Sequence, residues 1–341
     1  MAMAVAAAAT DIAQRGWAVL PSVLTLNECG AWVAELDRLV EATPGARNQM
    51  RESGTPRSRT AAFGHTAVVQ HIFNKSPLFE EVYRRPAVVE LVRHFLGEDA
   101  QLSSCEGRVR YPGSPAQHLH ADASVTGSNA HPAPAADVQR GLGRITRHVL
   151  GMNAVFCLSD FRADQGTTLM FGGTHALPDT ELPPESELLG PGRGTLVEAA
   201  AGSVLLWDVN LWHGASAHEG SAPRHAVFSL WRRSWLRPQF DLASVVSPEV
   251  LHRAGPYAQA IFGVSTRPAT GDHFTSSPRE PPGAAAGPAE QRARKKQWYD
   301  VLEEQVVEIG GGREQLRAIL QHKLRQLEDD DEDEQSDRAR L

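Results

Sequence analysis

Apolar and polar residues follow two different periods in the first part of the chain. Residues 12–20 alternate as in a strand, and Pro21 ends that run. Thr25 and Glu28 then have the spacing of a capping box at the start of a helix. The apolar positions that come after them recur at helical spacing, which predicts a buried helix face made of Trp32, Leu36, Leu39 and Val40.

The chain continues with short helices and a long strand. Between residues 77 and 96 we expect two helices, the second beginning at Pro86, because proline is favoured in the first turn of a helix. Residues 102–111 form the next predicted strand, with Arg108 and Arg110 on the same face. Since a buried unpaired charge is costly, this pair either meets an anionic ligand or an acidic neighbour, or faces solvent.

Further apolar strands follow, separated by turns rich in glycine and proline. They cover residues 150–160, 167–171, 202–207 and 226–231, and we expect the last two to form a pair. Many short strands with such turns, and helices gathered before them, are typical of an antiparallel β fold. We therefore predict a mainly β protein with flanking helices and a double-stranded β-helix core, the cupin-like jelly roll.

Composition divides the chain into segments. The alanine-rich start lacks the basic residues and the length of a secretion signal. An apolar stripe on the last predicted helix would pack either on the barrel or on a second copy of the chain, so a homodimer through the C-terminal helices stays open. The predicted segments are a disordered N-terminal tail at 1–11, a jelly-roll domain at 12–264, a Gly/Pro-rich linker at 265–290, a C-terminal helical segment at 291–328 and an acidic disordered tail at 329–341.

Charge and hydropathy exclude several classes of protein. The chain of 341 residues is 41% hydrophobic, enough for one sizeable core, and a mean hydropathy of -0.32 without a long apolar run excludes a membrane span. Much of the net charge of -7 comes from the acidic run at 328–334, and no basic stripe is present. We therefore expect a small-molecule substrate and no nucleic-acid partner.

The positions of the cysteines indicate the cellular compartment of the protein. Cys29, Cys105 and Cys157 are scattered without metal or disulfide spacing, which favours buried thiols in a reducing compartment. We therefore predict a cytoplasmic protein. The last three residues, Ala339 to Leu341, approximate a peroxisomal address, so a peroxisomal location is the alternative.

The chemistry centres on a histidine and an aspartate two positions apart. In a strand, His120 and Asp122 would point to the same face and hold one metal ion from one side. His213, which follows an apolar run, is the best candidate for a third ligand. Two histidines and one carboxylate form the facial triad of non-haem Fe(II) oxygenases. Eleven positions later, Arg224 offers a planar guanidinium group that matches a carboxylate.

This order of residues resembles the phytanoyl-CoA dioxygenase family of Fe(II)- and 2-oxoglutarate-dependent oxygenases. The His-x-Asp pair, the distal histidine and the arginine about eleven positions on are the family's pattern. The similarity covers about residues 12–240 and includes further segments at 16–21, 74–79 and 112–117.

The resemblance implies a set of roles. His120, Asp122 and His213 would hold Fe(II), Arg224 would anchor the distal carboxylate of 2-oxoglutarate, and Gln117 would assist. With O2, the co-substrate would be converted to succinate and CO2 while an aliphatic C–H of a small, largely apolar or acyl-type molecule is hydroxylated. Relatives that halogenate lack a carboxylate at the position of Asp122, so its presence favours hydroxylation, desaturation or ring formation.

Two other functions stay open at this point. Zinc accepts the same ligands, so a zinc-dependent hydrolase or isomerase would use the same site, although it gives Arg224 no role. A non-catalytic binding protein of the same fold is the other alternative.

Some segments have two interpretations. We interpret residues 43–67 either as a solvated loop or as an arginine-bearing lid over the mouth of the active site. We interpret residues 123–147 as a loop that borders the substrate. His175 lies beside a Gly-Gly turn and is left out of the metal set, and Asp208 is read as a turn or supporting carboxylate. Four tryptophans are expected to cluster, chiefly as core, with one indole lining a chamber: Trp207, Trp212, Trp231 and Trp235.

Overall fold

Two antiparallel sheets carry the part of the chain that the computed structural model describes, residues 2–47, 65–122 and 144–265. The larger sheet has the strand order β1-β8-β5-β10-β3-β2 and the smaller sheet the order β4-β9-β6-β7. The strands are β1 Trp17–Leu20, β2 Thr66–Gln70, β3 Gln101–Arg110, β4 Gln117–His120, β5 Gly151–Cys157, β6 Thr168–Met170, β7 Thr195–Leu196, β8 Val204–Asp208, β9 His213–Ala215 and β10 Arg224–Arg232.

Each sheet contributes apolar residues to a cluster between the two. Val155 and Leu205 of the larger sheet meet Met170 of the smaller sheet there. The opposite face of the larger sheet is covered by helices, and alternate strand residues such as Phe156 and Leu206 belong to that second, larger core. The larger sheet is therefore buried on both faces, and its inner face is available to build a site.

The helices are α1 Ala2–Arg15, α2 Leu26–Ala42 and α3 Pro86–Leu96, with shorter helical turns at Ile72–Asn74, Pro77–Tyr83, Asp179–Glu181, Glu185–Leu188 and Leu242–Val245, and a last helix at Pro248–Ile261. The predicted capping box starts α2: the Glu28 amide donates to the Thr25 hydroxyl over 3.2 Å, and the Thr25 amide donates to the Glu28 carboxylate over 2.7 Å. In the described residues, no helix is long and apolar enough to cross a membrane.

The expected disordered tail at 1–11 is wrong, as is the strand-like start at residue 12. Helix α1 occupies Ala2–Arg15, and only Trp17–Leu20 form the strand. Alanine is the best helix former, and Val5, Ala8 and Ile12 recur at helical spacing on the buried side of α1. The apolar positions at the start of the expected strand therefore belong to a helix face.

One further expectation about the strands is wrong. The strands containing residues 202–207 and 226–231 do not pair, because β5 lies between β8 and β10 in the sheet. Residues 242–261, for which no element was predicted, form two helices. The predicted linker, helical segment and acidic tail lie outside the described residues, apart from Ser265, as do residues 48–64 and 123–143 of the two loops. All the cysteines are buried and free, as expected.

Candidate metal centre

Strands β4 and β9 bring two of the predicted ligands face to face. The Cα atoms of His120 and His213 are direct partners in the ladder, and the imidazole centroids lie 4.3 Å apart. Asp122 lies two residues beyond the end of β4, so only one member of the His-x-Asp pair is in a strand. One Asp122 oxygen is 3.8 Å from His120 Nε2 and the other is 3.5 Å from His213 Nε2.

These three side chains fit one metal ion. One ligand atom from each lies within 4.8 Å of the others, and both histidines are buried. Two imidazole nitrogens and one carboxylate on the same side of an ion are the donor set that non-haem Fe(II) prefers. The geometry therefore brings together all the residues that the sequence proposed as ligands.

Backbone carbonyls orient both imidazole rings. His120 Nδ1 lies 3.0 Å from the carbonyl oxygen of His118, and His213 Nδ1 lies 2.9 Å from that of Leu211. Because a carbonyl oxygen only accepts, Nδ1 carries the hydrogen and Nε2 is left as the metal ligand. Burial, and secondly His213, lower the pKa of His120 to about 4. The ring is therefore neutral near pH 7, as a metal ligand must be.

Asn153 holds the carboxylate and was missed by the sequence analysis. Its Nδ2 donates to Asp122 Oδ2 over 2.7 Å from the middle of β5. Burial raises the pKa of Asp122, but the two histidines and the Asn153 hydrogen bond lower it by more. A single amide in an otherwise apolar strand was the signal that could have identified this residue.

The three candidate metal ligands line a cavity of about 390 Å³ between the sheets. Its apolar wall is made by Trp207, Phe228 and Leu230 of the larger sheet. The same sheet also supplies charged side chains, and the smaller sheet supplies polar ones. The lining residues used below are Glu106, Arg108, Arg110, Gln117 and Arg224.

Arg224 is the first residue of β10 and is buried. One guanidinium nitrogen donates to the carbonyl oxygen of Gly166, and the group packs over the ring of Phe161 at 4.3 Å from its centroid. Burial, and secondly Arg110, lower the pKa of Arg224 to about 9. The side chain remains a cation near pH 7, in the same cavity as the candidate metal ligands.

Arg108 and Arg110 both face this cavity, so the solvent-facing alternative is wrong. Arg108 binds the carboxylate of Glu106 and lies 4.1 Å above the centre of the Phe228 ring. Arg110 donates to the backbone carbonyls of Pro115 and Ser216. One arginine therefore has the acidic neighbour that was expected, and the other is held by uncharged acceptors.

Gln117 begins β4 and lines the cavity on the opposite side from these arginines. It pairs with Ala215, whereas His120 pairs with His213, so three steps along β4 match two along β9. The extra residue is a β-bulge, and it lets Gln117 and His120 point into the same cavity although they are three positions apart.

Comparison with known proteins adds a decisive match. The model of the phytanoyl-CoA dioxygenase (PhyH) family matches residues 12–226, more than half of the chain. The chain belongs to this family. The phytanoyl-CoA dioxygenase family consists of Fe(II)- and 2-oxoglutarate-dependent oxygenases, so the expected cofactors are confirmed for the family.

Individual relatives are distant. Dioxygenase af480 of Aspergillus fumigatus is 23% identical over 261 residues, which are 76% of each chain. The structure of the epimerase SnoN with Fe3+, alpha ketoglutarate and nogalamycin RO is 18% identical, with a TM-score of 0.51 over 84% of this chain and 98% of SnoN. HygX from Streptomyces hygroscopicus, with nickel, 2-oxoglutarate and hygromycin B bound, is 18% identical, with a TM-score of 0.51 over 68% and 88%. At these identities the two structures show the fold, and the predicted jelly roll is confirmed.

Two side chains lie outside the candidate metal set in this member of the phytanoyl-CoA dioxygenase family. Among the described residues, the group with metal-binding geometry is the triad, and His175 does not belong to it. Asp208 accepts the backbone hydrogen bond of Asn210 over 2.9 Å and is a turn carboxylate. Burial raises its pKa to about 6.

The four tryptophans do not form one cluster. Trp207 lines the cavity, Trp212 and Trp231 belong to separate apolar cores, and Trp235 is 68% exposed. One indole therefore faces the chamber, as the second interpretation had it, and the other three do not take part.

Proposed function

We propose that this protein is an Fe(II)- and 2-oxoglutarate-dependent dioxygenase that hydroxylates an aliphatic C–H bond of a small molecule, with release of succinate and CO2. The observation that carries the proposal is the meeting of His120, Asp122 and His213 in a cavity that also holds the buried Arg224. Membership of the phytanoyl-CoA dioxygenase family supports the same chemistry.

The side chains that line the cavity have different roles in this proposal. His120, Asp122 and His213 would hold the iron from one side and leave its other side to the co-substrate and O2. When bound, the iron and 2-oxoglutarate supply the oxidising chemistry, which the protein itself does not perform. Arg224 would bind the distal carboxylate of the co-substrate, because a buried guanidinium group offers paired hydrogen-bond donors to a carboxylate. Gln117, on the facing sheet, would add an amide contact to the same molecule.

The cavity favours a substrate with an apolar part and an anionic group. Trp207, Phe228 and Leu230 provide apolar surface. Arg108 lies over Phe228 and is a cation that remains 24% exposed beside its partner Glu106. This combination supports the acyl-type substrate that the sequence suggested, since such a molecule joins a hydrocarbon chain to a charged end.

The zinc-enzyme alternative explains less of the site. A zinc-dependent hydrolase or isomerase would use the triad but would leave Arg224 buried without a function. A non-catalytic binding protein would need neither the metal ligands nor the two carbonyls and the amide that orient them. The oxygenase proposal uses all of these groups.

The test is an anaerobic titration of metal-free protein, first with Fe(II) and then with 2-oxoglutarate. We expect the visible charge-transfer band of the iron chelate, and its decay with formation of succinate when O2 is admitted. Iron binding without the band would favour the zinc enzyme, and failure to bind metal would favour the binding protein.

A matched pair of variants makes the result specific. His213→Gln removes a ligand and should abolish the band, whereas His175→Gln alters a buried histidine outside the triad and should keep it. Because SnoN is described as an epimerase, product analysis by mass spectrometry must separate a gain of one oxygen atom, as in hydroxylation, from an unchanged mass.

A further inference from the structure

Two arginines lie at the end of the cavity that is formed by β10 and β3. A single arginine would be enough to hold one carboxylate. Arg224 on β10 and Arg110 on β3 are direct Cα partners in the antiparallel ladder, and both line the cavity. Directly opposite residues of neighbouring strands lie close enough for their side chains to act on the same group. We infer that Arg110 and Arg224 together clamp the distal carboxylate of 2-oxoglutarate, an inference that rests on the proposed function.

Both guanidinium groups are buried without a compensating charge. Arg110 is 5% exposed and Arg224 is 6% exposed, and within the described ranges neither forms an ion pair with a carboxylate. The Nε–H group of each is buried and has no hydrogen-bond partner there. Buried charges in proteins are normally paired, and buried donors are normally satisfied. Two such groups side by side indicate an anion as the missing partner.

Gly166 shapes the place where the two arginines meet. Its carbonyl oxygen accepts a hydrogen bond from the Arg224 guanidinium group. Its φ angle is +66°, and a Cβ atom added there would lie 2.4 Å from Arg110 Nε. A residue with a side chain at position 166 would therefore displace Arg110, so the absence of a side chain is what admits the second arginine.

The electrostatics of this end of the cavity agree with the geometry. Burial, and then the charge of Arg108, lower the pKa of Arg110 to about 10, so it is still a cation near pH 7. Burial, and then the charges of Arg224 and Arg110, lower the pKa of His218, which lies beside Gly166. Among the described residues, no carboxylate acts on the pKa of either arginine to offset the repulsion between the two cations. A bound carboxylate would offset it and would gain hydrogen bonds from both.

A clamp of this kind makes the distal carboxylate a strict requirement for binding. A 2-oxo acid of the same length with an uncharged end, 2-oxopentanoate, keeps the group that chelates iron and lacks the group that the arginines bind. Wild-type protein should therefore bind 2-oxoglutarate far more tightly than 2-oxopentanoate. Each arginine should contribute to the difference in affinity between the two acids. Neither arginine should affect how the 2-oxo acid chelates the iron.

The experiment measures the affinity of Fe(II)-loaded protein for both acids from the charge-transfer band under anaerobic conditions. For Arg110→Gln and for Arg224→Gln we expect a loss of roughly 10- to 100-fold for 2-oxoglutarate and less than about 2-fold for 2-oxopentanoate. Arg232→Gln is the matched control, because it removes an equally buried arginine of β10 outside the cavity and should change neither affinity.

Each outcome decides between explanations. An unchanged affinity for 2-oxoglutarate in Arg110→Gln, or an equal loss for both acids, would overturn the clamp while leaving the proposed function intact. Failure of wild-type protein to bind 2-oxoglutarate would overturn the proposed function and the clamp together. If Arg110→Gln does not fold, Arg110→Lys serves in its place, because it keeps the charge but not the planar guanidinium group. Its loss of affinity for 2-oxoglutarate should be intermediate, and its affinity for 2-oxopentanoate should not change.

Discussion

Replacement of Asn153 by leucine tests how the metal site is held in shape. The substitution keeps the approximate volume of the side chain and removes the donor that lies 2.7 Å from Asp122 Oδ2. A hydrogen bond to a charged group contributes about 1.5–3 kcal/mol. At about 1.4 kcal/mol for each factor of ten, its loss should weaken Fe(II) binding roughly 10- to 100-fold.

The same substitution should make metal binding more sensitive to acid. The Asn153 hydrogen bond lowers the pKa of Asp122, so its loss raises that pKa and lets protons compete with the metal at higher pH. The difference in affinity between wild type and Asn153→Leu should therefore grow as the pH falls. The proposed role of Asn153 is local, so the global fold of Asn153→Leu should be the same as that of the wild type.

The assay is an anaerobic titration of metal-free protein with Fe(II), buffered by a competing chelator and followed by tryptophan fluorescence. Trp207 is a suitable reporter because its ring centroid lies 5.1 Å from that of His213. Asn74→Leu is the control, since Asn74 bonds the backbone of Val245 and Ser247 away from the cavity. Equal Fe(II) affinities for wild type and Asn153→Leu, or an equal loss in Asn74→Leu, would refute the reasoning.

Three other substitutions test the site, a buried acid and a turn. Asp122→Ala should abolish turnover because the ligand set is broken, and elemental analysis should find less than stoichiometric iron. Full activity with one iron per chain would show that Asp122 is not a metal ligand. Asp208→Asn should raise the melting temperature more at pH 7.5 than at pH 5. The folded-state pKa of Asp208 is raised to about 6, so the wild type loses stability as the pH rises towards that value, by at most about 3 kcal/mol. Gly202→Ala should cost more than about 2 kcal/mol of unfolding free energy in urea titration, since its φ is +87° and a Cβ would lie 2.3 Å from the Leu24 carbonyl oxygen. Gly113→Ala, at φ +82° with open space around it, should cost less, and equal losses would contradict the role of the clash.

Local patterns were sufficient to select the candidate site residues. His120, Asp122, His213 and Arg224 were predicted because metal ligation and carboxylate binding demand particular side chains in a recognisable order, and the structure brings all four to one cavity. The start of α2 at Thr25 was found for the same reason, since a capping box is complete within four residues. Features that are specified by neighbours along the chain can be predicted from the chain alone.

Other features depend on partners that are distant in the sequence. The place of β5 between β8 and β10 follows from the packing of the whole sheet, and no short pattern specifies it. Asn153 acquires its role only because that place puts it against Asp122. Helix α1 is a different case: the spacing of Val5, Ala8 and Ile12 was visible, but the alanine content was taken as a sign of disorder.

The bulge in β4 has a consequence for changes in chain length. Because one extra residue lets three steps along β4 match two along β9, insertion of a further residue between Gln117 and His120 would add an unmatched step and turn one of the two side chains away from the cavity. A substitution at Leu119 would alter packing alone. Through this segment the site therefore depends on the number of residues as well as on their identity, and an insertion between Gln117 and His120 should disturb it more than a substitution at Leu119.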